Sequence, residues 1–319
     1  MYAPLDPVFE SLRDGAAVLT PHMTVPVFDG HSPSEQDLLF NGTFNLGFIG
    51  VSGSAEGRRL LGWWEDRCLA LGFSEGRTGL FVDQKWANLM PGFFEGVQIS
   101  RDAGLNMAYW NLHERLLARS EAGWQVRDAT GSEVPLRFFH FSGIDVADPE
   151  NLSHHTDRFT LAARPDLQPL FAAYRAAVQA CRLPKAEALP YGFDQLSDGT
   201  AMTRLARRLY AAHQEHFQAD AATKSNPFDA SGTFAKFARK QGLVKGKAQP
   251  QKATWKQFNG ADRRVQAIHR LLRWTLRALG PDRYELLMRY LGHISVLRHQ
   301  AVFLRDPAWP ASTDRKAGD

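Results

Sequence analysis

Cysteine is nearly missing from this chain. There are two in 319 residues, Cys68 and Cys181, far apart. Such a pair builds neither a disulfide framework nor a zinc knuckle, and a reducing cytoplasm is the expected compartment. Long hydrophobic runs are missing too, since no apolar stretch reaches the roughly 18 residues a bilayer-spanning helix needs. The opening MYAPLDPVFE lacks the basic stretch and apolar run of a secretory signal. No internal repeat is visible. What is present is an ordinary globular composition, 44% hydrophobic and 23% charged. That composition excludes wholesale disorder, and the length suits one large domain or two modest ones.

Acidic residues are scarce in one part only. Residues 1–200 hold 16 Lys and Arg against 25 Asp and Glu, a net of −9. Residues 201–305 hold 20 against 6, a net of +14. The overall +4 therefore hides two regions of opposite sign. A basic region favours an anionic partner, whether a membrane surface, a phosphorylated acceptor or nucleic acid.

Periodicity separates the same two regions. TFNLGFIGV at 43–51 reads as a buried strand, and AEGRRLLGWWEDRCLAL at 55–71 has helical apolar spacing. FVDQKWANLM at 81–90 reads as a short helix. Residues 97–99, 107–110 and 136–141 read as short strands. From about residue 165 the spacing becomes helical, over 166–181, 201–217, 230–241, 261–279 and 282–304, with a linker-like stretch at 242–254. The expected architecture is an α/β domain over 1–160 followed by a helical, basic region over 161–319.

Four local patterns could carry chemistry. In Phe44-Asn45-Leu46-Gly47-Phe48 the glycine lets backbone approach a ligand and the amide can bond a sugar hydroxyl, although Asn-x-Gly in a strand is also a common bulge. In Asp83-Gln84 an acid and an amide could grip sugar hydroxyls and flank an anomeric carbon, or the acid could simply favour a helix N-terminus. Asn106, Tyr109, Trp110 and Asn111 combine aromatic faces with amides, as sugar platforms do and as plain loops with core aromatics do. His140-Phe141-Ser142-Gly143 closes a strand. There a histidine can ligate a divalent metal and the small residues free backbone amides for phosphate, or the histidine is structural.

The order of these patterns resembles the family 8-like retaining glycosyltransferases, the glycogenin and bacterial galactosyltransferase group. That group has an FN-x-G strand, a DQ pair, an asparagine-bearing strand and an HF-x-G segment. The resemblance spans about residues 1–240. It implies part of a GT-A (Rossmann-like) fold and transfer of a sugar, with retention, from a nucleotide-sugar donor to a saccharide or lipid-linked acceptor. It implies Mn2+ or Mg2+ held by His140, with Gly143 against the donor diphosphate. Asn45 and Gly47 would line the donor-sugar pocket, Asp83 would bind donor-sugar hydroxyls, Gln84 would lie near the anomeric carbon, and Asn106 would face acceptor or donor hydroxyls. The family's phosphate-binding lysine after HF-x-G has no counterpart here, and His154, His155 or Arg158 is expected in its place. The family's Asp-x-Asp motif would fall upstream of Met1, so Met1 is expected to be an internal start or the boundary of an incomplete gene, and this chain to show little or no transfer. A competing reading is a non-catalytic binding or scaffold module.

The helix expected at 261–279 carries Arg263, Arg264, Arg270, Arg273 and Arg277 with apolar residues between them. A solvated face is the first reading of such arginines. Peripheral contact with the inner face of a membrane is the second, and nucleic acid is the last because no nucleic-acid motif accompanies them.

Overall fold

A computed structural model describes residues 1–121, 123–181, 189, 191–217, 226–244, 246, 263–297 and 299–300. The chain divides into two compact units, Met1–Glu187 and Ala188–Asp319.

The first unit is mixed α/β with small sheets. Helix α1 (Asp6–Asp14) leads into β1 (Ala17–Pro21), every residue of which is buried. This strand has no polar–apolar alternation because both faces are covered. β1 pairs antiparallel with β2 (Phe44–Val51) on one side and parallel with β5 (Val97–Ile99) on the other. A register shift between Leu19 and Pro21 loosens the β1–β2 ladder at its end. Bulges of this kind re-aim side chains beside functional sites.

Between β1 and β2 lies α2 (Glu35–Asn41), opened by a capping box in which Ser34 and Asp37 satisfy each other's backbone amides. Helix α3 (Ala55–Leu71) starts on the Ser54 cap and buries Leu60 against the sheet, with Trp63 edge-on to Trp86, Phe93 and Phe94. A two-stranded hairpin, β3 (Ser74–Glu75) with β4 (Leu80–Phe81), precedes a 3-10 turn at Gln84–Leu89 and the short α4 (Met90–Phe93). The helix expected at 81–90 is therefore a strand end followed by tighter 3-10 winding.

A meander of β6 (Arg115–Ser120), β7 (Gly123–Asp128) and β8 (Glu133–Pro135) forms a separate antiparallel sheet. Helix α5 (Gln168–Ala180) covers it, with Phe171 edge-on to Phe139 and Phe141, and Tyr174 stacked on Phe141 at 3.7 Å. This packing puts α5 in the first unit, beyond the division expected at residue 160.

Two expected strands are not strands. Residues 107–110 contribute one parallel bridge, Met107 to Phe139, and then wind into a 3-10 turn at Tyr109–Asn111. Residues 136–141 run extended beside 104–107 through His140 N to Met107 O and Arg137 N to Gly104 O, both 2.8 Å. The partner chain turns at Asn106, whose φ is +53°, so no continuous ladder can form.

In the second unit α6 (Arg204–Ala212), α7 (Gln214–Phe217) and α8 (Thr233–Lys240) enclose Leu196, Met202, Leu209, Phe217 and Phe234. Helices α9 (Arg263–Leu279) and α10 (Pro281–Ile294) pack together through Gly280, a left-handed glycine. Among the described residues after 190 helices alternate with turns, and the β-pairing is one bridge, Gln195 to Ala201. Most of the 242–254 linker and the end of the 282–304 helix lie outside the described residues. Among the described residues no helix is long and apolar enough to cross a membrane.

Candidate functional site

β1 and β5 run parallel, and ligands bind beyond the carboxyl ends of parallel strands in open α/β sheets. At that edge β1 delivers Thr20 and His22, and the antiparallel β2 begins there with Asn45. The 100–106 segment leaving β5 brings Asn106, while the 136–141 segment brings His140. Five stretches of chain thus converge once the 3-10 turn adds Gln84.

Hydrogen bonds join these side chains into one network. Asn45 Oδ1 accepts from Gly47 N at 2.9 Å, from Asn106 Nδ2 at 3.1 Å and from His140 Nδ1 at 3.2 Å. Asn45 Nδ2 donates to His22 Nε2 at 3.2 Å and to Gln84 Oε1 at 3.3 Å. Asn106 Nδ2 also donates to Thr20 Oγ1 at 2.9 Å, and Asn106 Oδ1 accepts from His140 Nδ1 at 3.3 Å. Gln84 accepts from Leu46 N and donates to Asn41 O. His22, Asn45 and Asn106 are buried, as buried polar groups with complete partners can be.

Trp110 wedges between the two histidines, edge-on to His22 at 5.2 Å and to His140 at 5.1 Å. Its indole N–H has no hydrogen-bond partner among the described residues. Burial pushes the His22 pKa down to about 4, with the nearby His140 adding to the fall, and burial also lowers that of His140. Both rings are therefore neutral at pH 7. Burial, helped by the Asp37 charge, pushes the Tyr109 phenol up to about 12.

Some expected site residues present a surface and others do not. Gly47 is exposed, and the His140 ring lies so close over it that a Cβ there would stand 2.1 Å from Cε1. Gly143, at φ +71°, lies against His155 and Ser153, and His154 N donates to its carbonyl. The His154 and His155 rings are exposed beside it, with Tyr109 5.7 Å from His155. Trp110 and Asn111 are buried at 2% and 0% exposure. Asn111 holds the turn instead, accepting from Ala108 N and donating to the carbonyls of His22 and Asn106. Asp83 stays outside the network. It is exposed, its carbonyl accepts from Trp64 Nε1, and its carboxylate acts on Cys68, whose thiol is raised mainly by burial.

Arg158 is occupied elsewhere. Its side chain is 4% exposed, pairs with Asp29 and donates to the carbonyls of His31 and Pro33. It pins the 22–33 loop, and of the three candidates for phosphate contact His154 and His155 are the exposed ones. Glu114 holds the other end of that loop through Thr24 N and Val25 N.

Sequence reasoning missed Thr20 and His22. The signal was slight: a four-residue apolar run, Ala16–Leu19, with a threonine and a histidine close behind it.

Among the described residues no three His, Cys, Asp or Glu side chains are grouped as metal ligands. Among the described residues no carboxylate joins the network around His140. A hard divalent cation prefers six or more oxygen-rich ligands, and one imidazole does not supply that set.

Among curated proteins, the chain is similar to the uncharacterized protein YfnD of Bacillus subtilis (strain 168), at 26% identity over 141 residues. Those residues are 44% of this chain and 42% of that protein, so the match spans less than half of either. No protein-family model matches the chain, and no solved structure does.

Proposed function

We propose that the edge of the first unit's sheet is the donor-sugar side of a nucleotide-sugar glycosyltransferase site, in a GT-A-like setting. One observation carries the reading. Asn45, Gly47, Gln84, Asn106 and His140, five of the seven residues the family resemblance singles out, form or adjoin one hydrogen-bonded network although they span 96 positions of chain. A neutral His140 and the bare backbone of Gly47 are suited to sugar hydroxyls. Gly143 with the exposed imidazoles of His154 and His155 is suited to a diphosphate, whose departure needs electrostatic stabilisation. Asn45, Asn106 and Asn111 support the site from beneath rather than touching the sugar, and Tyr109 stands beside it. Asp83 reaches the sugar only through a change in the 81–84 turn. Retention, the identity of the donor and a saccharide or lipid-linked acceptor belong to the same proposal.

Mn2+ or Mg2+ remains an expectation of the resemblance, with His140 as one ligand, but the donor set here does not fit a hard cation. For a lipid-linked acceptor, the arginine-rich α9 is the surface for peripheral contact with the inner face of a membrane, and nucleic acid is not a partner in this reading. The absence of a carboxylate from the network favours a second reading, a sugar-binding module without turnover.

The test is release of nucleoside diphosphate across a panel of UDP- and GDP-sugars, with and without chelator, alongside donor binding by calorimetry. Turnover abolished by His140→Ala supports transfer. Binding weakened by His140→Ala without turnover supports the module. Neither binding nor turnover with any donor overturns both.

A further inference from the structure

The directions of the hydrogen bonds in the network follow from its backbone anchors. Gly47 N–H can only donate, so the atom of Asn45 facing it at 2.9 Å is the oxygen. Asn45 Nδ2 then faces His22, and His22 Nε2 must accept. The other nitrogen of His22, Nδ1, faces the Thr43 carbonyl at 3.2 Å and must donate. His22 is thereby locked as the neutral Nδ1–H tautomer. Asn106 directs its Nδ2 at Asn45 Oδ1, so its own oxygen faces His140. His140 Nδ1 meets two oxygens, Asn45 Oδ1 and Asn106 Oδ1, and must donate to them. Nothing among the described residues bonds His140 Nε2, which keeps its lone pair.

We infer that His22 is a positioning residue that sets the tautomer of His140 through the Asn45 amide, so that His140 presents a bare Nε2 to the ligand. A free neutral imidazole in water prefers the opposite tautomer, with the proton on Nε2. The protein inverts that preference with two amide oxygens whose orientation His22 helps to hold. Without an acceptor at His22 Nε2, the Asn45 amide loses one of the two partners that keep its nitrogen turned away from His140. A bare Nε2 accepts a hydroxyl proton or meets an electrophilic centre, whereas an Nε2–H would donate. The value of this for a sugar ligand rests on the function proposed above, but the tautomer itself does not.

The measurement is long-range 1H–15N correlation NMR at neutral pH on the full chain labelled with 15N-histidine. The His140 resonances are assigned by their loss in His140→Ala. In the wild type His140 and His22 are both expected as Nδ1–H tautomers. In His22→Leu the Nε2–H share at His140 should rise relative to Nδ1–H by roughly five- to tenfold, the effect of about one hydrogen bond. His22→Gln, whose amide can offer Asn45 an acceptor, should restore the wild-type spectrum. His22→Asn, too short to reach Asn45, should behave as His22→Leu does and serves if the leucine variant does not fold. An Nε2–H tautomer at His140 in the wild type would overturn the inference, as would an unchanged His140 in the folded His22→Leu or His22→Asn protein. No sugar donor is present, so loss of this coupling and loss of the proposed activity are separate results.

Discussion

At Gly47 the strand backbone and the site chemistry compete over one missing carbon. The backbone does not require glycine, since its φ lies outside the left-handed region. Alanine would fit the strand and would stabilise the protein by roughly 0.4–1 kcal/mol through the unfolded chain. The side chain reverses the sign. A methyl carbon there would stand 2.1 Å from His140 Cε1, 2.3 Å from Nδ1 and 2.7 Å from Asn45 Oδ1. Non-bonded carbons rest at about 3.5–4.0 Å, so the ring must retreat by more than about 1 Å. Retreat breaks the Nδ1 bonds to Asn45 and Asn106. Overpacking costs about 1–3 kcal/mol and the lost bonds about 1 kcal/mol more, which leaves Gly47→Ala destabilised by about 1–3 kcal/mol.

The assay is urea unfolding of wild type, Gly47→Ala, His140→Ala and the double variant. Once the ring is gone only the 2.7 Å approach to Asn45 Oδ1 remains, so the cost of Gly47→Ala should fall by about 2 kcal/mol. Costs that simply add would refute the account, because the methyl group would then be acting on something other than His140.

Two further outcomes follow from the same geometry and charge. The folded pKa of His22, about 4, lies below the ordinary 6.5, so the unfolded chain takes the proton first and stability falls as pH drops through that window, by about 3 kcal/mol at pH 4. Urea midpoints at several pH values should show His22→Gln losing that much less than wild type, and parallel slopes would contradict the burial argument. Helix α9 has five arginines, no acid and an exposed Trp274, so the chain should co-sediment with vesicles containing phosphatidylserine but not with neutral ones. Reversing Arg270, Arg273 and Arg277 to Glu should abolish binding, and equal binding to both vesicle types would count against it.

The sequence was most informative where one element has one period. Helix 55–71 lies where its apolar spacing put it, because Ser54 caps it and Gly72 ends it. It was least informative where tertiary contacts decide. Residues 136–141 have every mark of a strand, yet the chain beside them turns at Asn106 and denies them a ladder. β1 was overlooked because a strand buried on both faces shows no alternation, and His22 was lost with it. Asn45, Gln84, Asn106 and His140 were legible through the order of their motifs, but their division of labour was not. Which amide faces a ligand and which is sealed beneath depends on neighbours up to 95 positions away.

That division explains how the site can be polar and yet uncharged. Its floor is built of groups that are neutral at pH 7: three amides, one threonine hydroxyl and two imidazoles whose pKa values burial has lowered. A charge placed there would face the full desolvation penalty, whereas amides satisfy one another and fix direction. In the reading proposed above, an anionic end of the ligand would lie at the rim, where His154 and His155 stand exposed. On that same reading, the uncharged floor and the exposed imidazoles would give separate handles on the sugar and the phosphate ends of one donor. Substitutions in the floor should alter how His140 is presented, and substitutions at the rim should alter how an anion is held.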